Sequence, residues 1–160
     1  MAVDIFLKLD GIKGESKDAK HKGEIDLESF SWGETSTAGT GRGSGAGAGK
    51  VAIQDLHFVS RVNKASPVLM LACATGKHIK EATLTARKAG KGQQEFLIFK
   101  FTDVLISSYQ VGGSEGADVP TDQVSFRFAK LSYEYKPQKA DGSLDAAVKA
   151  VWDVKAGKAG

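Results

Sequence analysis

Apolar and polar residues alternate along most of this chain, and in three places the alternation changes phase. A period of two residues is typical of a β-strand with one buried face. A change of phase moves the buried side chains to the other face, which requires a β-bulge or a strand that crosses between two sheets. The changes separate Ile25 and Leu27 from Phe30 and Trp32, Val51 and Ile53 from Leu56 and Phe58, and Phe126 and Phe128 from Leu131, Tyr133 and Tyr135. They predict an all-β fold with sharply bent strands, as in a small closed β-barrel or an orthogonal sandwich.

The same alternation predicts further strands at residues 2–9, 81–88, 95–101, 104–111 and 148–154. The turn KAGKGQ joins the second and third of these as a hairpin. Only the segment SPVLMLACATGK predicts a helix, with Ser66 as N-cap, Pro67 in the first turn and Gly76 as a left-handed end. Because this helix is apolar nearly all round, we expect it to pack at or under one end of the barrel.

The length of 160 residues fits a single domain. A domain of this size buries roughly 70% of its unfolded surface, which is enough for a core of its own. We expect the domain to span residues 1–154. Residues 155–160, KAGKAG, have nothing to bury and predict a flexible tail.

Charge and composition disfavour several classes of protein. The net charge is only +3 and the lysines are scattered, so nucleic acid is a weak candidate partner. The single cysteine, Cys73, excludes an intrachain disulfide and fits a reducing compartment during folding. The start MAVDIFLKLD does not read as a secretory signal. No segment approaches the ~18 apolar residues of a membrane span, so we expect no membrane insertion.

Glycine occupies every second position from Gly39 to Gly49, in the stretch GTGRGSGAGAGK. A phosphate-binding P-loop needs Gly, four residues and then Gly-Lys-Ser/Thr. Counting back five from Gly49 reaches Ser44, and Lys50 is followed by Val51, so both ends of that motif fail. The looser dinucleotide pattern needs a helix after the glycines, but the residues that follow alternate like a strand. Nucleotide binding is therefore disfavoured.

The glycine-rich stretch instead forms most of an arm from Glu34 to Gly49 that has few side chains able to pack on one another. Loops longer than about 12–15 residues are usually disordered or functional. Such an arm can adapt its backbone to a neighbouring molecule. Bent strands also leave edges that can pair with a neighbour. Both features favour self-assembly.

The residues that commonly catalyse reactions or bind metals form no recognisable motif. They are His21, His57, His78, Cys73, Asp26 and Glu28. The histidines lack metal-ligand spacing and the cysteine has no cysteine partner. A cysteine in an apolar helix is more often a small buried residue than a nucleophile, and alternating acids are more typical of a solvated face or of salt bridges between subunits. We predict no metal, no cofactor and no enzymatic activity.

Five stretches, in order, resemble one protein family. They are MAVDIFLKLDGIKGES, IDLESFSWG, KVAIQDLHFV, SPVLMLACATGKHIKEATLTARKAG and PQKADG. The resemblance is to Hcp, the haemolysin-coregulated tube protein of bacterial type VI secretion systems, and it covers residues 1 to about 154. It implies a β-barrel with one helix that assembles into six-membered rings, which stack into a hollow tube. A contractile sheath drives the tube and its spike out of the cell, in competition between bacteria or in virulence.

The resemblance also implies roles for particular residues. Ser31 and Ser114 match stretches that face the lumen, where the family binds small effectors and protects them; the alternative is that both are ordinary exposed serines. The arm matches part of the loop that reaches an adjacent ring, through Gly39, Thr40, Gly41, Arg42, Gly43, Ser44, Gly45, Gly47 and Gly49. Assembly in the cytoplasm, followed by export through the machine itself, would need no signal peptide.

Two other functions are alternatives. An eight-stranded barrel could hold a small apolar ligand, as lipocalins do. Its cavity would be lined by Phe96, Phe99, Phe101, Phe126 and Phe128. In a barrel of this size such side chains more often fill the interior. A hydrolase using His57 or His78 would need a partner that the sequence does not show at recognisable spacing.

Overall fold

The structure is a computed structural model that describes residues 2–36, 51–89 and 92–160. Within these ranges the chain forms one helix, α1 (Ser66–Thr75), and otherwise strands. The strands are β1 (Val3–Leu9), β2 (Ile25–Leu27), β3 (Ser29–Ser31), β4 (Glu34–Ser36), β5 (Val51–Ile53), β6 (Leu56–Arg61), β7 (His78–Lys88), β8 (Glu95–Gly112), β9 (Thr121–Arg127), β10 (Lys130–Tyr135), β11 (Val148–Asp153) and β12 (Lys158–Ala159). The predicted all-β fold with one short helix is confirmed.

The long strand β8 divides the sheet into two layers. Its first half pairs with β10 and its second half pairs with β9, while β7 follows the other side of both halves. We call the strands β2, β1, β7, β10, β11 and β12, with the first half of β8, the first layer. The second layer consists of β3, β6, β9 and the second half of β8. β4 and β5 form a separate two-stranded sheet.

The three predicted phase changes lie at breaks between strands. The breaks fall at Glu28 between β2 and β3, at residues 54–55 between β5 and β6, and at residues 128–129 between β9 and β10. The first and third carry the chain from one layer to the other. The two strands predicted at residues 95–101 and 104–111 are a single bent strand, in which Asp103 has a φ of 55°.

The predicted closed barrel is wrong, because the sheet formed by the described residues is not closed. β2 pairs only with β1, and β3 pairs only with β6. The break at Glu28 separates these two short strands, although the backbone N–H of Glu28 still donates to the carbonyl of Val59 at 2.8 Å. Alternation along single strands shows that they bend, but it does not show which strands pair.

Phenylalanine side chains from the two layers fill the space between them. Phe101 of the first layer meets Phe126 of the second edge to face, with ring centres 5.0 Å apart. Phe30 and Phe99 meet in the same way at 5.9 Å. Of the five rings that a ligand cavity would use, all except the half-buried Phe96 are buried. These rings pack on one another as a core does.

The helix begins one residue earlier than a Ser66 N-cap requires. Ala65 occupies the N-cap position without a side-chain bond, and the Ser66 hydroxyl donates to the buried Asp122 instead. The predicted end at Gly76 is confirmed, since its φ is 66°. Leu69 and Ala72 of the helix pack into the core. Within residues 2–36, 51–89 and 92–160, no helix has the length and apolar character that crossing a membrane requires.

The loop between β1 and β2 is tied to the first layer by two buried basic side chains. Arg87 donates to both carboxylate oxygens of Asp18, at 2.9 and 2.5 Å. The ring nitrogens of His21 lie 2.9 Å from Glu24 and 2.6 Å from Glu95. The bond from Arg87 lowers the pKa of Asp18 from 3.8 to about 2. An ion pair from Arg87 and hydrogen bonds from His21 therefore hold a long loop that has few apolar residues.

The last residues turn back along β11. The turn at Gly157, with a φ of 65°, brings Ala159 opposite Trp152 and Lys158 opposite Asp153 in β12. The backbone of residues 158–159 is therefore paired in the structure. The flexibility of residues 155–160 and the domain boundary at residue 154 stay predictions.

Candidate functional site

The second layer has one face on the core and one face towards solvent. Leu56 and Phe58 of β6 are fully buried, as are Val124 and Phe126 of β9. The residues between them point outwards, because side chains alternate along a strand. The register aligns these outward side chains in two rows, Ser31–His57–Ser125–Ser108 and Ser29–Val59–Gln123–Gln110. We call these eight residues the polar face.

The polar face contains no Lys, Arg, Asp or Glu. Charged side chains lie at its margins, where Arg61 pairs with Glu28 at 3.3 Å and Asp55 accepts a bond from Ser107 at 2.5 Å. From the usual spacing of strands and residues, the face measures about 14 by 7 Å. It offers small hydrogen-bonding groups but none of the Trp, Tyr or Arg anchors that dominate tight interfaces. Such a surface suits weak, reversible contact.

His57 and Ser125 form a pair at the centre of the polar face. Nδ1 of His57 lies 3.0 Å from Oγ of Ser125, and both side chains are half-buried. A Ser–His hydrolase also needs a group that orients the second ring nitrogen and free donors for an oxyanion. Within the described part of the chain, Nε2 of His57 has no hydrogen-bond partner, and the backbone here belongs to the β6–β9 ladder. The geometry does not support acyl transfer.

A buried hydrogen-bond network supports the polar face from beneath. Asp122 is fully buried and accepts bonds from the hydroxyls of Ser66 and Tyr109, the second at 2.7 Å. Burial first, and then the bond to Asp122, raises the pKa of Tyr109 to about 12. The network joins the start of α1 to β8 and β9, so the helix fixes the back of the second layer.

The two predicted lumen residues occupy different parts of the second layer. Ser31 ends β3 and lies opposite His57 in the register, at one margin of the polar face. Ser114 lies in the exposed loop after β8 and accepts a backbone bond from Ala117 at 3.2 Å. It is six residues beyond Ser108, which is about 20 Å along an extended chain. The structure therefore does not bring the two serines together.

The predicted stacking residues, Gly39–Gly45, Gly47 and Gly49, lie outside the described residues. The base of the arm is described: Glu34, Thr35 and Ser36 of β4 pair with β5. All three β4 residues are exposed. The strand with which the arm begins in sequence is therefore exposed.

The other residues that the sequence singled out make contacts within the fold or lie partly buried in it. His78 lies 2.7 Å from Asp103, and this bond lowers the pKa of the Asp103 carboxyl. Cys73 is half-buried against the core. Burial raises the pKa of Asp26, helped by the charges of Asp4 and Asp18. Among the described residues, no group of three or more His, Cys, Asp or Glu side chains could hold a metal ion.

The first layer carries an apolar face that the second layer covers only in part. Its members lie in three cross-strand pairs, Leu131–Trp152, Tyr133–Ala150 and Tyr135–Val148. The register places this face on the same side of the layer as Phe99 and Phe101, which belong to the core. Exposure rises away from the core, from 5% at Leu131 to 42% at Tyr133 and 67% at Val148. We call these six residues the apolar face.

A groove of about 490 Å³ lies between the apolar face and the base of the arm. Trp32, Glu34 and Val51 form the wall on the side of the arm. Nε1 of Trp32 donates to the carbonyl of Gln54 at 2.9 Å, which fixes the indole ring. The groove joins the apolar face to the residues from which the arm leaves.

Sequence reasoning missed the apolar face and the His57–Ser125 pair. The alternation predicts Val148, Ala150 and Trp152 on one side of a strand, and the register confirms this. The alternation does not predict that the second layer leaves these side chains partly exposed. His57 and Ser125 are 68 residues apart, and no short motif links them. Only the pairing of β6 with β9 makes them neighbours.

Comparisons with known proteins agree on one family. The family model described as type VI secretion system effector, Hcp, matches residues 6–135. Protein hcp1 of Pseudomonas aeruginosa is 49% identical over 157 residues, which are 97% of each chain.

Two solved structures share the fold over nearly the full length. The crystal structure of Hcp1 from Salmonella typhimurium has a TM-score of 0.80 and 36% identity, covering 99% of both chains. A type six secretion system protein has a TM-score of 0.92 and 30% identity, covering 99% of this chain and all of the other. The chain belongs to the Hcp family, the tube-forming proteins of the type VI secretion system.

Proposed function

We propose that this chain assembles into six-membered rings that stack into a hollow tube, with small effector proteins carried in the lumen. The family is a structural part of the secretion machine, and its members self-assemble into that machine. The ring, the lumen contacts and the role of the arm are proposed for this chain. The observation that carries the proposal is the apolar face, which is a continuation of the core that the described residues of the subunit leave partly uncovered.

A neighbouring subunit would complete this core. An exposed valine or tyrosine stabilises an assembly by roughly 25 cal/mol for each Å² of apolar area that the contact buries. Among the described residues, β2 and β3 at the opposite margin of the sheet expose no large hydrophobic side chain. In a ring, the apolar face of one subunit would contact a different surface of the next subunit. Heterologous contacts of this kind close into rings when the rotation allows it.

The polar face would line the lumen of such a ring. A tube has to release its cargo, and small uncharged side chains without anchor residues allow contact that breaks easily. Ser31 would contact cargo at the margin of the polar face, and Ser114 would do so from the loop after β8. The lumen therefore binds effectors by many weak contacts.

The arm would join one ring to the next. Its glycines allow the backbone to fit a neighbour without steric penalty. Deleting residues 40–48 should leave rings intact and shorten tubes in electron micrographs. The matched control replaces the same residues with a Gly-Ser sequence of equal length. Tubes of unchanged length in the deletion variant would contradict the stacking role.

The experiment that tests the ring is native mass by light scattering over a concentration series. A stable particle of six subunits, each of 16.9 kDa, is the expected result. A monomer at every concentration would overturn the proposal. The further partners are the sheath and spike of the machine, with assembly in the cytoplasm and export without a signal peptide.

A further inference from the structure

His57 differs from the other residues of the polar face. It is the only ring in either row, and it stands between Ser31 on β3 and Ser125 on β9. Its seven companions are small hydroxyls, two amides and one valine. A serine hydroxyl rotates to suit a partner, but an imidazole offers each nitrogen in one fixed direction.

One side of this ring is already engaged. Nδ1 of His57 lies 3.0 Å from Oγ of Ser125, and the half-buried ring lies in the ladder between β6 and β9. When the Ser125 hydroxyl donates to Nδ1, the proton of the neutral ring lies on Nε2. No described residue of the subunit engages Nε2, so it can bond a group on another molecule.

We propose that His57 is a cargo-selecting residue, which donates a hydrogen bond from Nε2 to an acceptor on the protein cargo. This inference rests on the proposed function, since it requires the polar face to line the lumen. The acceptor is a backbone carbonyl, a hydroxyl or a carboxylate on a cargo surface that is otherwise uncharged where it meets the face.

The direction of this bond gives selectivity. A cargo that places an apolar group or a second donor against Nε2 leaves a polar group unpaired at the contact, which weakens binding. Cargo that places an acceptor there gains a bond that the flexible serines cannot specify.

Three variants separate this role from general packing. His57→Ala removes the donor, and His57→Gln keeps a donor on a side chain of similar reach. Ser125→Ala keeps the imidazole but removes the group that orients it. Ser29→Ala is the matched control, because it removes a hydroxyl from the other row of the same face. Light scattering first checks that each variant forms the particle seen with the native chain.

The probe is each small protein that disappears from the culture medium when the gene for this chain is deleted, purified and labelled with fluorescein. Its affinity for assembled rings is measured by fluorescence anisotropy. We expect His57→Ala to weaken binding by about fivefold to tenfold, the loss of one hydrogen bond per contact. His57→Gln should restore most of it, Ser125→Ala should lie between, and Ser29→Ala should change it less than twofold.

Two results would overturn the role of His57. One is native affinity in His57→Ala, and the other is an equal loss in the Ala and Gln variants, which indicates packing alone. Ser31→Tyr distinguishes these failures from failure of the proposed lumen. If Ser31→Tyr blocks binding while His57→Ala does not, the lumen proposal stands and the selecting role fails. If neither variant affects binding, or if rings bind none of the probes, both fail.

Discussion

Side chains alternate along the strands of both the polar face and the apolar face, but the two faces differ in how they relate to the core. The polar face is the outer side of the second layer, where the alternation places serine, glutamine and histidine away from the core. The apolar face is the inner side of the first layer, where the same alternation continues past the end of the core. The polar face suits contact with water, whereas the apolar face is left partly exposed by the described residues of the subunit.

This difference indicates that the two faces make different kinds of contact. An exposed continuation of a core is stable only when something covers it, so it suits permanent contact between subunits. An uncharged polar surface is stable in water and loses little when a contact breaks. The comparison predicts that changes to the apolar face affect assembly, and that changes to the polar face affect cargo alone.

The largest effect on assembly is expected from a charge on the apolar face. Val148→Asp would bury an unpaired carboxylate in the contact between subunits, which is unfavourable. We expect the concentration that half-assembles the ring to rise by tenfold or more, or about 1.4 kcal/mol or more for each subunit. Light scattering over a dilution series measures it. Val119→Asp, in an exposed loop, is the control and should assemble normally.

The largest effect on the stability of the single subunit is expected from the support beneath the polar face. Asp122→Ala leaves the hydroxyls of Ser66 and Tyr109 without their acceptor in the interior. We expect the free energy of unfolding to fall by about 2–4 kcal/mol. Urea denaturation measures this change, with the exposed Asp118→Ala as control. A loss no greater than that of the control would show that the network does not hold the helix on the second layer.

Acid should act on the loop between β1 and β2 rather than on either face. The bond to Arg87 lowers the pKa of Asp18 from 3.8 to about 2. Because the pKa of Asp18 is lower in the folded protein, the ionised carboxylate stabilises the fold at pH values above its pKa in the unfolded chain. That stability is lost as the pH falls from about 4 to about 2. Asp18→Asn should therefore be less stable at neutral pH and lose less on acidification. Thermal unfolding at stepped pH values tests this, with Asp118→Asn as control; equal acid losses would contradict it.

The smallest effect on the fold is expected at the proposed lumen serines. Ser31→Tyr and Ser114→Tyr place bulky side chains on exposed positions and should change the free energy of unfolding by less than about 0.5 kcal/mol. Rings should form normally, while loading of small effectors falls. Co-purification of a tagged effector measures loading, with Ser143→Tyr as a control outside both faces. Loss of rings together with cargo would contradict a purely lumenal role.

Local pattern predicted much of this fold. Period-two alternation gave the strands and the breaks, and Gly76 gave the end of the helix, because these depend on neighbours in sequence. The Ser66 hydroxyl was predicted as a cap but bonds Asp122, which is 56 residues away. Propensity cannot detect such a competing partner.

Features that depend on pairing were less predictable. Sheet closure, the separation of Ser31 from Ser114 and the position of His57 beside Ser125 all follow from the register between distant strands. The pairing of β12 with β11 was also not predictable, because the sequence KAGKAG has no pattern typical of a strand. Ser31 of the polar face was named from the resemblance to a family, and its role stays a prediction.

The most direct test of the division between the two faces is the rate at which a thiol reacts at each of them. Cys73 is replaced by Ala, and Ser31→Cys or Val148→Cys supplies the single thiol. Each variant is treated with a small maleimide, once as assembled ring and once as subunits dissociated in mild denaturant. The account predicts that assembly leaves the reaction at residue 31 fast and slows the reaction at residue 148 strongly. Protection at residue 31 with free reaction at residue 148 would contradict it.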